Sequence, residues 1–168
     1  MTATSDRKGT LAEEVDRLIA RRGDRDLDWD VLGFQTRIDP KYERAQMRYV
    51  GGGGTGAHND PKVIPAQHFT FSTMVIPPGH EGPPHVHHDV EEVFFGLEGE
   101  VTCILERDGE IVERVIGPRD LICVPPGMYR GVRNDTDADA AMVVVLGTGK
   151  PQLPTYPPDH PLAKVKRG

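Results

Sequence analysis

Cysteine is scarce in this chain: Cys103 and Cys123 are the only two in 168 residues. A scaffold stapled by several disulfides is therefore excluded, and both thiols read as reduced, small core residues. Long apolar runs are missing as well. The longest, residues 140–147, falls far short of the roughly 20 residues a membrane-spanning helix needs. Basic residues are outnumbered, 20 Lys and Arg against 26 Asp and Glu, and the net charge of −6 argues against nucleic acid or an anionic membrane as partner. The first residues, Met1 to Asp6, lack the basic start and apolar stretch of an export signal, so the expected location is the cytoplasm. What the chain has in quantity is glycine, 19 residues, and proline, 15, which favours short strands joined by tight turns.

Taken in order, the sequence predicts a helix first. Thr10 and Glu13 have capping-box spacing, and Leu11, Val15, Leu18 and Ile19 form one apolar stripe. Arg21 and Arg22 suit its C-terminal end and Gly23 its stop. Such a helix is expected to pack on the domain or on a partner subunit. A strand over 44–50 leads into Gly51-Gly52-Gly53-Gly54-Thr55-Gly56, which spells a dinucleotide-binding glycine pattern. No helix can start promptly against Pro61 and Pro65, so the stretch reads as a flexible loop, with a lid over a site as the alternative. His58 and His160, beside prolines, read as solvated.

From Gln67 onward the pattern is almost continuously β: 67–76, 92–97, 100–106, 110–116, 120–124, 129–133 and 140–146. Asp108-Gly109 joins two of these as a two-residue hairpin. Closely spaced strands of this kind argue a sandwich or closed barrel. Val93, Phe95 and Leu97 share one face of their strand and Phe94 takes the other, so both faces want cover. A second subunit is the simplest cover, and a homodimer is expected. Five prolines from Pro151 to Pro161 make the tail an extended arm.

The chemistry concentrates in Pro83-Pro84-His85-Val86-His87-His88-Asp89-Val90-Glu91-Glu92. On a strand, side chains two apart share a face, so His85 and His87 can offer two nitrogens to one divalent ion. A downstream carboxylate would complete a two-histidine, one-carboxylate set with open coordination positions. Parity on an unbroken strand favours Glu91; a bend at His88-Asp89 would bring Glu92 instead.

This stretch resembles the first motif of the cupin superfamily: Gly79, five residues, His85-Val86-His87, four residues, Glu92, six residues, Gly99. Pro125-Pro126-Gly127-Met128-Tyr129-Arg130, followed after three residues by Asn134, is similar to the second. The resemblance covers roughly residues 67–147 and implies an all-β fold, an antiparallel jelly-roll barrel with a metal in its mouth. It divides the chain into a helical lead-in (1–43), the barrel (44–147) and a proline-rich arm (148–168). Its register also makes Glu92 the ligand, since a bend at His88-Asp89 removes the premise of the parity argument. The family's further histidine is replaced by Arg130, which has no lone pair for a metal.

Three readings of that replacement stay open. Arg130 grips an anionic substrate beside a metal held by His85, His87 and Glu92; or His80, His88 or His68 supplies a fourth ligand; or the site is empty and Arg130 pairs with Asp89, Glu81 or Glu91. Tyr129 is a candidate proton donor. The facial set suits Fe(II), with Zn, Mn or Ni as other occupants. The function so implied is a metal-dependent enzyme of dioxygenase type on a small anionic carboxylate. A redox-neutral isomerase, decarboxylase or hydrolase, or a non-catalytic binding module, is the alternative. Neither a helix-turn-helix nor a basic patch is present to suggest a DNA-binding regulator.

Overall fold

Nine strands fall into two antiparallel sheets in the computed structural model, which describes residues 9–57 and 59–166. His58 lies outside the described residues. The strands are β1 (Ala45–Val50), β2 (Thr70–Ile76), β3 (Glu81–His85), β4 (Glu92–Glu98), β5 (Val101–Arg107), β6 (Glu110–Ile116), β7 (Leu121–Val124), β8 (Tyr129–Arg133) and β9 (Ala140–Leu146). One sheet has the order β1-β2-β9-β4-β7 and the other β3-β8-β5-β6. The expected closed barrel is thus corrected to two separate sheets. No ladder joins them among the described residues; the chain instead crosses from one to the other at corners such as Gly99-Glu100. β5 and β6 are joined at Asp108-Gly109, both with positive φ (54° and 81°), as a two-residue turn matched to strand twist requires.

β3 is the strand that its sequence hides. Pro83 and Pro84 cannot donate to a ladder, but β3 lies at a sheet edge and pairs with β8 alone, through Glu81–Arg133, Gly82–Val132 and His85–Arg130 with a register shift between. β4 is central in its sheet, and its alternation turns Glu92 and Phe94 inward. The core lies between the sheets. Met74, Ile76, Phe94, Met142 and Val144 of one meet Val101, Cys103, Ile116 and Val132 of the other. Burying Phe94 contributes about 1.5–3 kcal/mol, and holding that strand in place also fixes Glu92 two residues earlier.

The extensions depart from expectation in instructive ways. Helix α1 (Leu11–Arg17) has its capping box, with Thr10 and Glu13 bonded reciprocally, but ends a turn before Arg21-Arg22-Gly23. None of its residues is buried, and Leu11 and Leu18 are 71% and 62% exposed. It therefore does not cover the sheet within this chain. A second short helix, α2 (Gly33–Thr36), packs toward a single turn at Pro40–Tyr42. The proline-rich arm folds onto its own chain. Thr155 exchanges two backbone hydrogen bonds with Val86, and Tyr156 and Leu162 bury against Tyr42. His160, expected to be solvated, is half-buried: its Nε2 lies 3.1 Å from the Tyr42 hydroxyl and its Nδ1 accepts from Leu162 N. Cys103 is buried as expected, whereas Cys123 is exposed on β7. No described helix is long and apolar enough to cross a membrane.

Candidate metal centre

The chain leaves β3 at His85, bends through 86–91, and enters β4 of the other sheet at Glu92. That break undoes the parity of an unbroken strand: Glu91 is exposed, while Glu92 is buried. His87 sits in the bend, where its carbonyl accepts from Gly127 N at 2.8 Å and the neighbouring Val86 is tied to Thr155. One nitrogen or oxygen from each of His85, His87 and Glu92 lies within 4.8 Å of the others.

Each ligand is held for the purpose. His85 Nδ1 lies 2.9 Å from the Pro83 carbonyl, which can only accept, so the proton belongs on Nδ1 and the Nε2 lone pair is left available. His85 Nε2 and His87 Nε2 stand 3.5 and 3.7 Å from Glu92 Oε2. Burial pushes the His87 imidazole down to about 4, so it is neutral near pH 7, as coordination requires. Burial pushes the Glu92 carboxyl up, but the adjoining imidazoles of His85 and His87 and the guanidinium of Arg130 outweigh it and hold the group below the usual range.

The residues fit a divalent ion. Donors about 2.1 Å from one metal lie roughly 3.0–3.4 Å apart in octahedral or tetrahedral geometry, a small closure from the distances observed. Glu92 Oε2 is buried without a hydrogen-bond partner, which a bound cation would remedy. His80, His88 and His68 stand outside the group. His88 is exposed and bonded to Thr155, His68 is exposed, and His80 Nδ1 is buried but unpartnered. The donor set is thus three residues.

Arg130 is fully buried, with its Nε 3.6 Å from Glu92 Oε2 and its NH2 donating to the Pro125 carbonyl at 2.9 Å. It pairs with Glu92 rather than with Asp89, Glu81 or Glu91. It is not among the residues that line the cavity beside the triad, so a direct grip on substrate does not follow from its position. Tyr129 is half-buried opposite Glu106 on β5 and is likewise absent from the cavity wall.

That cavity, partly open to solvent, has a volume of about 70 Å³. His85, His87 and Glu92 form one part of its wall, and Met74, Phe94, Met142 and Val144 an apolar part. Both chain extensions contribute, through Phe34 and Gln35 before β1 and Pro154 and Tyr156 in the arm. The glycine-rich segment also reaches it: Gly53, Gly54 and Thr55 line the cavity. A Cβ on Gly54 would meet His87 Cε1 at 3.0 Å, so a side chain there would push the ring or the loop back by a few tenths of an ångström. Arg44, just before β1, and Gln46 within it line it too; sequence reasoning assigned them nothing, because nothing local ties them to the histidines.

A family model described as Cupin domain matches residues 72–146. No curated protein is detectably similar in sequence. Among solved structures, peruvianin-I, a cysteine peptidase from Thevetia peruviana latex, aligns at 15% identity over 88% of this chain and 79% of its own, with a TM-score of 0.62. An oxalate oxidase aligns at 18% identity over 68% and 55%, with a TM-score of 0.54. An oxalate decarboxylase of Lactobacillus farciminis in a formate complex aligns at 17% over 65% and 30%, with a TM-score of 0.53. The match thus spans about half the length of the oxalate oxidase chain and less of the decarboxylase. At these identities the likeness is one of fold.

Proposed function

Since the chain is a single domain of the cupin superfamily fold carrying a buried His-His-Glu cluster, we propose that it is a metal-dependent enzyme acting on a small carboxylate. Redox-neutral chemistry at the carboxylate, decarboxylation first among the options, is the reading favoured over dioxygenation. The observation that carries it is the charge balance around the cavity. Glu92 is the one buried carboxylate there, facing the buried guanidinium of Arg130, with that of Arg44 also in the cavity wall. Even before a metal is counted the buried charge is positive, so an anion is the preferred guest. A short acid suits a cavity of about 70 Å³.

A divalent ion on His85, His87 and Glu92, with Fe(II) or Mn(II) suiting the donor set, supplies Lewis acidity toward a carboxylate oxygen. The protein's own contribution is positioning. The Pro83 carbonyl orients His85, Phe94 and its strand fix Glu92, and Gly54 closes the site over His87. The apolar wall excludes water from a carbanion-like centre, and Arg130 offsets the charge of Glu92. The oxalate oxidase and oxalate decarboxylase of similar fold are named for such an acid, which supports the substrate class. We propose also that two chains associate through the outer face of the β1-β2-β9-β4-β7 sheet. There Phe71, Val93, Phe95 and Val145 are only half-buried, and Leu121 is 58% exposed.

The test is to load the purified protein with Fe(II) or Mn(II) and supply oxalate, malonate, glycolate and related short acids. Carbon dioxide release and oxygen uptake are followed together. Carbon dioxide release without stoichiometric oxygen uptake, lost in His87→Ala together with bound metal, is the expected result. Full metal occupancy in His87→Ala, or oxygen consumed in step with every turnover, overturns the reading.

A further inference from the structure

Arg44 lies just before β1, far from the metal motif in sequence, yet it lines the same cavity as His85, His87 and Glu92. It is 4% exposed. Its guanidinium donates to neutral oxygens: NH1 to the carbonyls of Tyr42 (2.8 Å) and Glu81 (2.7 Å), and NH2 to Gln35 Oε1 (2.8 Å). Gln35 is held in turn by donating its Nε2 to the Tyr156 hydroxyl at 2.8 Å. The nearby carboxylate of Glu81 is occupied by Lys41 at 3.1 Å. A buried guanidinium is ordinarily paired with a carboxylate; this one forms no ion pair among the described residues, and its Nε is buried without any partner.

Gly82 faces the guanidinium, and a Cβ there would lie 3.4 Å from Cζ and 3.5 Å from Nε. The side-chain oxygen of Gln46, on the same wall, is also buried and unpartnered. Buried polar atoms without partners are rare in folded proteins. Here Arg44 Nε, Gln46 Oε1, His87 Nδ1 and Glu92 Oε2 all belong to residues of one cavity. A ligand bearing a carboxylate would satisfy the guanidinium and supply the missing counter-charge.

We propose that Arg44 is the carboxylate-recognition residue of this cavity. Its ligand is a short aliphatic acid whose carboxylate docks on Arg44, whose body lies on Met74, Val132 and Met142, and whose second oxygen function faces the His-His-Glu cluster. Gln35 and Tyr156 are positioning residues that hold the guanidinium. This rests on the metal-carboxylate reading above and moves the anion anchor from Arg130 to Arg44. Burial lowers the Arg44 guanidinium to about 10, which still leaves it charged at neutral pH.

The experiment is calorimetric titration of the full-length protein, metal-loaded and chelator-treated, with oxalate, malonate and glycolate, and with glycolamide as the uncharged control. Two variants decide it. Arg44→Gln removes the charge. Gln35→Glu keeps Arg44 but places a carboxylate where Gln35 Oε1 sits, 2.8 Å from NH2, and so fills the anion's role from within. In both, acid affinity is expected to drop about ten- to a hundredfold, while metal content stays at the wild-type level. Gln35→Glu should also melt no lower than wild type, so it decides the matter if Arg44→Gln does not fold. Wild-type affinity retained in either folded variant overturns the assignment of Arg44 and leaves the metal-carboxylate reading standing. Metal-loaded wild type that binds none of the acids overturns that reading itself, and Arg44's part with it.

Discussion

Arg130→Met tests whether Arg130 serves Glu92. In the wild-type fold the guanidinium Nε stands 3.6 Å from Glu92 Oε2, and both side chains are almost wholly buried (0% and 6% exposed). At an effective dielectric constant of about 20, unit charges at that separation attract by about 4.6 kcal/mol. Breaking a buried pair by removing one partner costs about 3–5 kcal/mol. Relief of the desolvation of Arg130, which pulls its own proton affinity down, returns part of this. Loss of the Pro125 hydrogen bond adds about 1 kcal/mol. The metal-free variant should therefore be destabilised by about 2–4 kcal/mol, a fall in Tm of roughly 4–16 °C for a chain of this size. A divalent ion bound to Glu92 replaces the lost cation, so metal should restore most of the loss and bind more tightly than in wild type. Urea unfolding of Arg130→Met, Glu92→Gln and the double variant, with and without Mn(II), isolates the pairwise coupling. Coupling below about 0.5 kcal/mol without metal, or a loss that metal does not repair, would refute the pairing. Arg130→His, which adds an imidazole at the same position, should raise metal affinity above that of wild type.

Three other outcomes follow from particular contacts. Gly54→Val should press on the His87 ring, lowering metal retention and turnover while changing Tm by less than about 2 °C; unchanged metal affinity, read by competition with a chelating dye, counts against the loop's role. Phe95→Glu should convert a dimer to a monomer in light scattering at micromolar concentration, and a wild-type monomer there sinks the interface. Asp60 is held below the usual range by the Lys62 amide and Arg48, although burial pushes it upward. Its contribution to stability is present above the unfolded pKa and is lost as pH falls through the lower folded value. Asp60→Asn should therefore lower Tm near pH 7 and converge on wild type as pH falls through that lowered value; a constant offset between the two from neutral to acid pH would exclude the linkage.

How much of this was legible in the sequence depended on the range of the interactions concerned. The Asp108-Gly109 hairpin, the capping box at Thr10 and Glu13, and the strands Glu110–Ile116, Tyr129–Arg133 and Ala140–Leu146 could be read because turn chemistry and side-chain alternation act over a few residues. His85 and His87 could be paired for the same reason. Glu91 and Glu92 could not be separated by periodicity, since the choice depends on the chain leaving one sheet and entering another between His85 and Glu92. β3 was hidden by Pro83 and Pro84, which are tolerated only because tertiary structure makes that strand an edge. Gly54 against His87, Arg130 beside Glu92, and Arg44 facing Gly82 were decided by packing alone. The sequence by itself determined the two histidine donors, because their spacing is local. Which charges stand around them was left to the tertiary structure, because β1, β3, β4, β8 and the C-terminal arm meet only when burial of the shared apolar core draws distant segments together.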